Sequence, residues 1–195
     1  MRKLVLVFAF TAATLAAGNP QVTRAYVDDK GAVHIVMADG NKHTIKPFKW
    51  QNGGSFTDVK VAGDGRTVGW VANQMLEPLE AGTNYALETG VGVEVWRDGK
   101  VIRNLAPGVI RDWTFLRGGQ EVAIHTAPLH GQEFYDCTRF DVGTGKELEH
   151  WSLDRRDYVV PDWAKPLLAN DPLPGPDEIS NWIPDGKTSK TRKKE

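Results

Sequence analysis

The chain has 195 residues, with 24 Lys and Arg against 25 Asp and Glu, and one cysteine, Cys137. Its balanced charge excludes the broad basic surface of a default nucleic-acid binder, and a lone cysteine excludes an internal disulfide. Stability therefore rests on an apolar core, for which the chain is long enough as one domain.

Residues 1–18 read as a secretory leader. Arg2 and Lys3 form a cationic start, and residues 4–17 are uncharged, with only Thr11 and Thr14 polar. A spanning helix needs roughly 20 apolar residues, whereas this run meets Gly18, Asn19 and Pro20 at once. Cleavage is expected after Ala16, Ala17 or Gly18. A buried soluble helix would show a polar face, which this block lacks. No cysteine follows it to carry a lipid, so the expectation is an exported protein, periplasmic or secreted from a bacterium, with no membrane span once mature. The expected organisation is a leader over 1–18, a β domain over 19–160, and a Pro-rich extension with a basic tail over 161–195. Residues 19–186 hold 17 cations against 24 anions, so the body is acidic, and residues 187–195 hold five cations and one anion. The tail reads as a solvated end.

From Gln21 to Trp151 turn dipeptides separate short runs of Val, Ile, Thr and aromatic residues, which is the pattern of strands. Asp29-Lys30-Gly31 and Asp39-Gly40-Asn41 divide runs at 22–27, 32–37 and 42–46 into a three-stranded meander. Val33, Ile35 and Met37 alternate with His34 and Val36, so one face is expected to be buried.

An internal repeat follows. With Asp58 aligned on Asp112, Val59, Val61 and Val68 meet Trp113, Phe115 and Val122 without a gap, Gly65 meets Gly119, and Trp70 meets Ile124. Each copy predicts a hairpin with a glycine turn, then a second hairpin. The second hairpins turn at Asp98-Gly99-Lys100 and Gly143-Thr144-Gly145. The fold class expected is all-β, built of blade-like four-stranded antiparallel repeats.

The stretch Ala62-Gly63-Asp64-Gly65-Arg66-Thr67-Val68-Gly69-Trp70, with Val95-Trp96-Arg97-Asp98-Gly99-Lys100 after it, resembles the blade repeat of TolB-type, WD40-like β-propellers. In that family a Pro-Asp-Gly turn precedes a short apolar strand; here Gly63 replaces the proline, and the second copy has Arg117-Gly118-Gly119. Rings generally close with about four or more blades, so two to three units make at most an incomplete or open propeller-like body. An open arc, a merged sheet or sandwich, and a ring completed by oligomerisation all remain open.

Insertions at 74–87 and 127–133 occupy the same place in both copies, between the second and third strands. Equivalent loops gather on one side of a repeat protein, so the candidate binding residues lie there: Glu77, Glu80, Tyr85, His125 and His130. Beyond Trp151, Pro161, Pro166, Pro172, Pro174, Pro176 and Pro184 dominate, with Trp163 and Trp182 as isolated anchors for the β core. One short helix at most is expected, around 162–169, with Pro166 against it.

No catalytic set stands out. His125, His130, Asp136 and Cys137 are potential metal ligands, but their spacing matches no compact motif and Pro128 prevents helical pairing of the histidines. None of Ser55, Ser152, Ser180 or Ser189 lies in G-x-S-x-G or S-x-x-K, and Gly90-Val91-Gly92 is no phosphate loop. The carboxylate pairs Glu77/Glu80 and Asp154/Asp157 are of a kind common on solvated surfaces. Trp70, Trp96, Trp113 and Trp151 are expected in the core. The favoured reading is a non-catalytic binding or scaffold protein, with no cofactor, whose partner is a protein, a small ligand or a glycan. The alternatives are a hydrolase using carboxylates or a metal near His125 and His130, and a carbohydrate-binding module displaying tryptophans.

Overall fold

A computed structural model describes residues 20–49, 53–76, 87–127, 135–153 and 159–169. These form three antiparallel sheets, none closed into a barrel. The first comprises β1 (Val22–Val27), β2 (Val33–Met37) and β3 (Lys42–Ile45). The second comprises β4 (Gly54–Val61), β5 (Thr67–Leu76), β6 (Leu87–Arg97) and β7 (Lys100–Leu105). The third comprises β8 (Val109–Leu116), β9 (Glu121–Ala127), β10 (Asp136–Asp141) and β11 (Glu147–Ser152).

The repeat expected from the sequence is a repeat in space. Strands β5 and β9 begin at the aligned residues Thr67 and Glu121, and both four-stranded sheets run in simple up-and-down order. Pairing carries the equivalence across each sheet: Trp70 lies opposite Glu94 and Glu94 opposite Asn104, as Ile124 lies opposite Thr138 and Thr138 opposite His150. Next along, Ala72 pairs with Gly92 and Thr126 with Asp136. A bulge interrupts the first strand of each copy, between Thr57 and Lys60 and between Ile110 and Asp112. The two aligned aspartates, Asp58 and Asp112, both reach Lys60 Nζ, at 3.1 and 3.3 Å, and Lys60 also donates to the Trp113 carbonyl. One lysine thus ties the first strands of both copies together.

The sheets are layered face to face, because alternation gives the middle sheet two apolar faces. Its front face, with Phe56, Val68, Trp70, Ala72 and Trp96, packs on Val33, Ile35 and Met37 of the first sheet. Its back face, with Val71, Val93, Val95 and Leu105, packs on Trp113, Val122, Ile124 and Val142 of the third. Trp70, Trp96 and Trp113 are fully buried, and Trp151 is half-buried in the third cluster. Gly69 makes room for Trp113: a Cβ there would stand 2.7 Å from the indole.

Both ends of the stack are finished. The outer face of the third sheet, through Ala123, Tyr135 and Cys137, is covered by Ala164, Leu167 and Leu168 with Trp163 beside them. Expected as a weak helix, this segment is a single 3-10 turn at Lys165–Leu168, since Pro166 lacks the N–H that an α-helix would use. Trp163 is docked as expected, whereas Trp182 lies outside the described residues. The outer face of the first sheet is polar and self-satisfied. Arg24 lies 4.4 Å over the Tyr26 ring, Tyr26 stacks on His34 at 5.1 Å, and His34 meets Asp28 at 2.8 Å. Capped terminal units of this kind are typical of repeat proteins, whose interior faces alone need a neighbour.

Along one edge of the stack, at the strand ends, the hairpin turns interlock. Asp64 accepts the N–H groups of Arg66 and Thr67 and the Thr67 hydroxyl, and its own N–H donates to the Gly118 carbonyl at 3.1 Å. Arg97 donates to Gly119 O at 2.8 Å and to Thr67 Oγ1 at 2.7 Å. Val22 N–H reaches back to Gly65 O at 2.7 Å, so all three sheets meet here. Gly119 has φ of +96°, and a Cβ on it would stand 2.7 Å from Ala62 Cβ. The aligned glycine is therefore required both for backbone conformation and for close approach.

Candidate functional site

Two open clefts lie towards the opposite edge of the sheets, where the strands run into the insertions. Strands β5 and β6 bound residues 77–86 there, and β9 and β10 bound residues 128–134. At the roots of both hairpins, on the front face of each four-stranded sheet, lies a cleft. The cleft on the middle sheet has a volume of about 350 Å³ and is lined by Phe48, Phe56, Ala72, Gly92, Glu94 and Asn104, among others. The one on the third sheet, about 440 Å³, is lined by Thr126, Asp136, Thr138, Phe140, Glu147 and His150, with Asn104 and Ala106 at its border. Asn104 and Ala106 border both clefts, so the two are neighbours. Their positions are equivalent in the repeat: Ala72 and Gly92 stand where Thr126 and Asp136 stand, and Glu94 and Asn104 where Thr138 and His150 stand.

Equivalent position does not mean equivalent chemistry. The middle-sheet cleft is largely apolar, with Phe48 74% exposed, and its polar lining is neutral (Ser55, Asn73, Gln74, Asn104) apart from one carboxylate. Burial pushes the Glu94 carboxyl above the usual range, and the Trp70 indole N–H, donating at 3.1 Å, only partly opposes this. Nearby, Asn73 donates to Ser55 Oγ at 3.2 Å and to Thr57 Oγ1 at 2.9 Å, which fixes the rim strands, and Ser55 donates to Glu88. In the third-sheet cleft His150 Nε2 lies 3.4 Å from Asp136 Oδ1, both half-exposed, with Glu147 on the same face.

Of the residues singled out from the sequence, Glu77, Glu80, Tyr85 and His130 lie outside the described residues. His125 is 2% exposed and stacks on Tyr135 at 5.7 Å, on the covered face of the third sheet. It borders neither cleft. Asp136 pairs with Thr126 and lines the front of the same sheet, so His125 and Asp136 point to opposite sides. Cys137 is buried beside His125's strand, and burial, with the Asp136 charge adding to it, pushes its thiol up to about 12. A thiol that holds its proton this firmly is no nucleophile. Among the described residues no group of three or more His, Cys, Asp or Glu side chains is placed to hold a metal ion. Sequence reasoning passed over Glu94, Asn104, Thr126, Thr138, Glu147 and His150. Alternation would have put them on the core face, but only cross-strand register reveals that they share two clefts.

A scan against protein-family models finds no match, and a search of curated proteins finds none either. Among solved structures, one described as a crystal structure of the eukaryotic initiation factor is 8% identical, with a TM-score of 0.31. The match covers 68% of this chain and 42% of that one, a likeness too slight to inform fold or function.

Proposed function

We propose that this is an exported, non-catalytic binding protein, built as an open propeller-like stack of the TolB or WD40 kind. On this reading it engages a protein or small ligand at the cleft-bearing end. One observation carries the proposal: open clefts recur at the same repeat position on two sheets, beside the two insertions. Interlocked turns occupy the other end, towards which the third-sheet cleft extends along its sheet as far as Gly145, while the middle-sheet cleft stays at the insertion end. The hydrolase alternative has less support, because His125 and Asp136 face opposite sides of a sheet and Cys137 is buried. The glycan alternative needs exposed tryptophans, and the described ones are buried or half-buried. Export is supported by the uncharged block over 4–17. No helix among the described residues is long and apolar enough to cross a membrane.

The test is site-specific photo-crosslinking in intact cells. Crosslinkers at Asn104 and Ala106, exposed and between the clefts, are expected to capture a common partner. Crosslinkers at Lys100 and Gln120, exposed at the turn end and lining neither cleft, are expected not to capture it. Equal capture from both ends, or from neither, removes the proposal. Amino-terminal sequencing of the mature protein tests export separately: a start at residue 17, 18 or 19 is expected, and an intact leader in a cytoplasmic fraction refutes it.

A further inference from the structure

Several partly buried carboxylates among the described residues are matched by a cation. Asp28 meets His34, Asp64 meets Arg97, Asp112 meets Lys60, and Glu121 and Glu149 share Arg139. Glu94 is half-buried between Trp70 and Asn104 on neighbouring strands, and no cation among the described residues pairs with it. Its carboxylate opens into the apolar-walled cleft of the middle sheet. A partly dehydrated carboxylate with one neutral donor is under-compensated, and a ligand supplying a cation would restore what burial removed.

We propose that this cleft is a subsite for a basic side chain, an ammonium or guanidinium on an apolar stem, presented by a partner peptide. The cation would meet Glu94. The stem would lie against Phe56 and Ala72, as long basic side chains lie on apolar surface while their heads stay polar. Gly92 keeps this wall low, since a Cβ there would stand 2.9 Å from Asn104 Oδ1 and 3.2 Å from the Leu105 carbonyl. At the equivalent place the sister cleft has Asp136, with His150 3.4 Å away, so the apolar-stem requirement belongs to the middle sheet alone. The excess of 24 anions over 17 cations in residues 19–186 favours approach of a cationic partner.

This inference rests on the binding reading above, and its test is independent of the crosslinking. The Trp70 indole N–H donates to Glu94, so its NMR cross-peak, assigned by loss in Trp70→Phe, reports on that carboxylate. The full mature chain is titrated with n-butylammonium, n-butanol and butyrate. Butylammonium is expected to give a saturable shift of the Trp70 indole peak, with the Trp96 and Trp113 peaks unmoved. The alcohol and the acid are expected to give none. Glu94→Gln should weaken the ammonium response at least about tenfold, the size expected for a charged hydrogen bond. Asn104→Lys, at an exposed position directly opposite Glu94, should abolish it by tethering a cation there without disturbing the core. No saturable ammonium shift, an equal shift with n-butanol, or full response in either variant overturns the inference. If crosslinking at Asn104 and Ala106 still captures a partner, the basic-side-chain assignment alone has failed.

Discussion

Replacing Gly119 with alanine separates two costs that meet at the turn hub. Gly119 has φ of +96°, and an added Cβ would stand 2.7 Å from Ala62 Cβ and 3.3 Å from both Thr67 Cβ and Asp64 Oδ2. Left-handed backbone costs an L-residue about 1–2 kcal/mol. Overpacking a tight contact adds about 1–3 kcal/mol. The unfolded chain returns about 0.4–1 kcal/mol, because alanine has fewer conformations to lose. Gly119→Ala is therefore expected to destabilise by about 1–4.6 kcal/mol, which for a chain of this size lowers Tm by roughly 2–18 °C. Gly99→Ala is the control: φ there is +89°, but nothing lies within 4 Å, so only the backbone cost remains. It should lose about 1 kcal/mol. Urea unfolding at constant m-value reads both. Equal losses in the two variants would refute the claim that the repeat copies are held by close approach at this turn.

Three further outcomes follow from side-chain environments. Burial pulls the Asp64 carboxyl upward, but the Thr67 hydroxyl, the Arg66 and Thr67 N–H groups and Arg97 outweigh it, so the net shift is downward. A depressed carboxyl stabilises the fold above its unfolded pKa of about 3.9, and that contribution disappears as pH falls through the lower folded value. Asp64→Asn should lose stability at neutral pH and show a shallower fall in acid, read by melting from pH 7 to pH 2. Glu94 has the opposite sign: its folded pKa is raised by burial, which costs stability once the group ionises. Glu94→Gln should melt higher than the parent at neutral pH, and the gain should vanish once pH falls below the unfolded value of about 4.3; no gain at neutral pH would contradict the burial account. Cys137 is fully buried with its thiol raised to about 12, so a thiol reagent at pH 8 should modify it only after denaturation. Rapid labelling of the native protein would show that the cap over the third sheet opens.

Strand positions were legible because they depend on local rules. Asp-Gly and Gly-Gly turns break the chain at sites where glycine carries the positive φ, as at Gly40, Gly65 and Gly119. Alternation marked Val33, Ile35 and Met37 as the buried row, and all three are buried. The copies at Asp58 and Asp112 superpose in strand order because an alternating apolar pattern has one stable answer when both faces are covered. The aligned pair Val61 and Phe115 shows the limit of that logic. Val61 is 43% exposed, whereas Phe115 packs edge-on against Trp113 at 5.1 Å. Similar local pattern does not ensure similar neighbours. His125 shows the same limit: strand position was readable, but not that its side of the sheet would be covered by the segment around Leu167.

Sequence by itself determined the β class, the turns, the buried tryptophans and the existence of two sister units, since each follows from periods and propensities over a few residues. Only tertiary structure decided that the sheets stack as separate layers finished at both ends. It alone decided that Asp58 and Asp112 share Lys60, and that Glu94 has no matching cation among the described residues. Those outcomes depend on which faces meet across residues far apart in the chain, and the pairing of faces is a property of the packed whole.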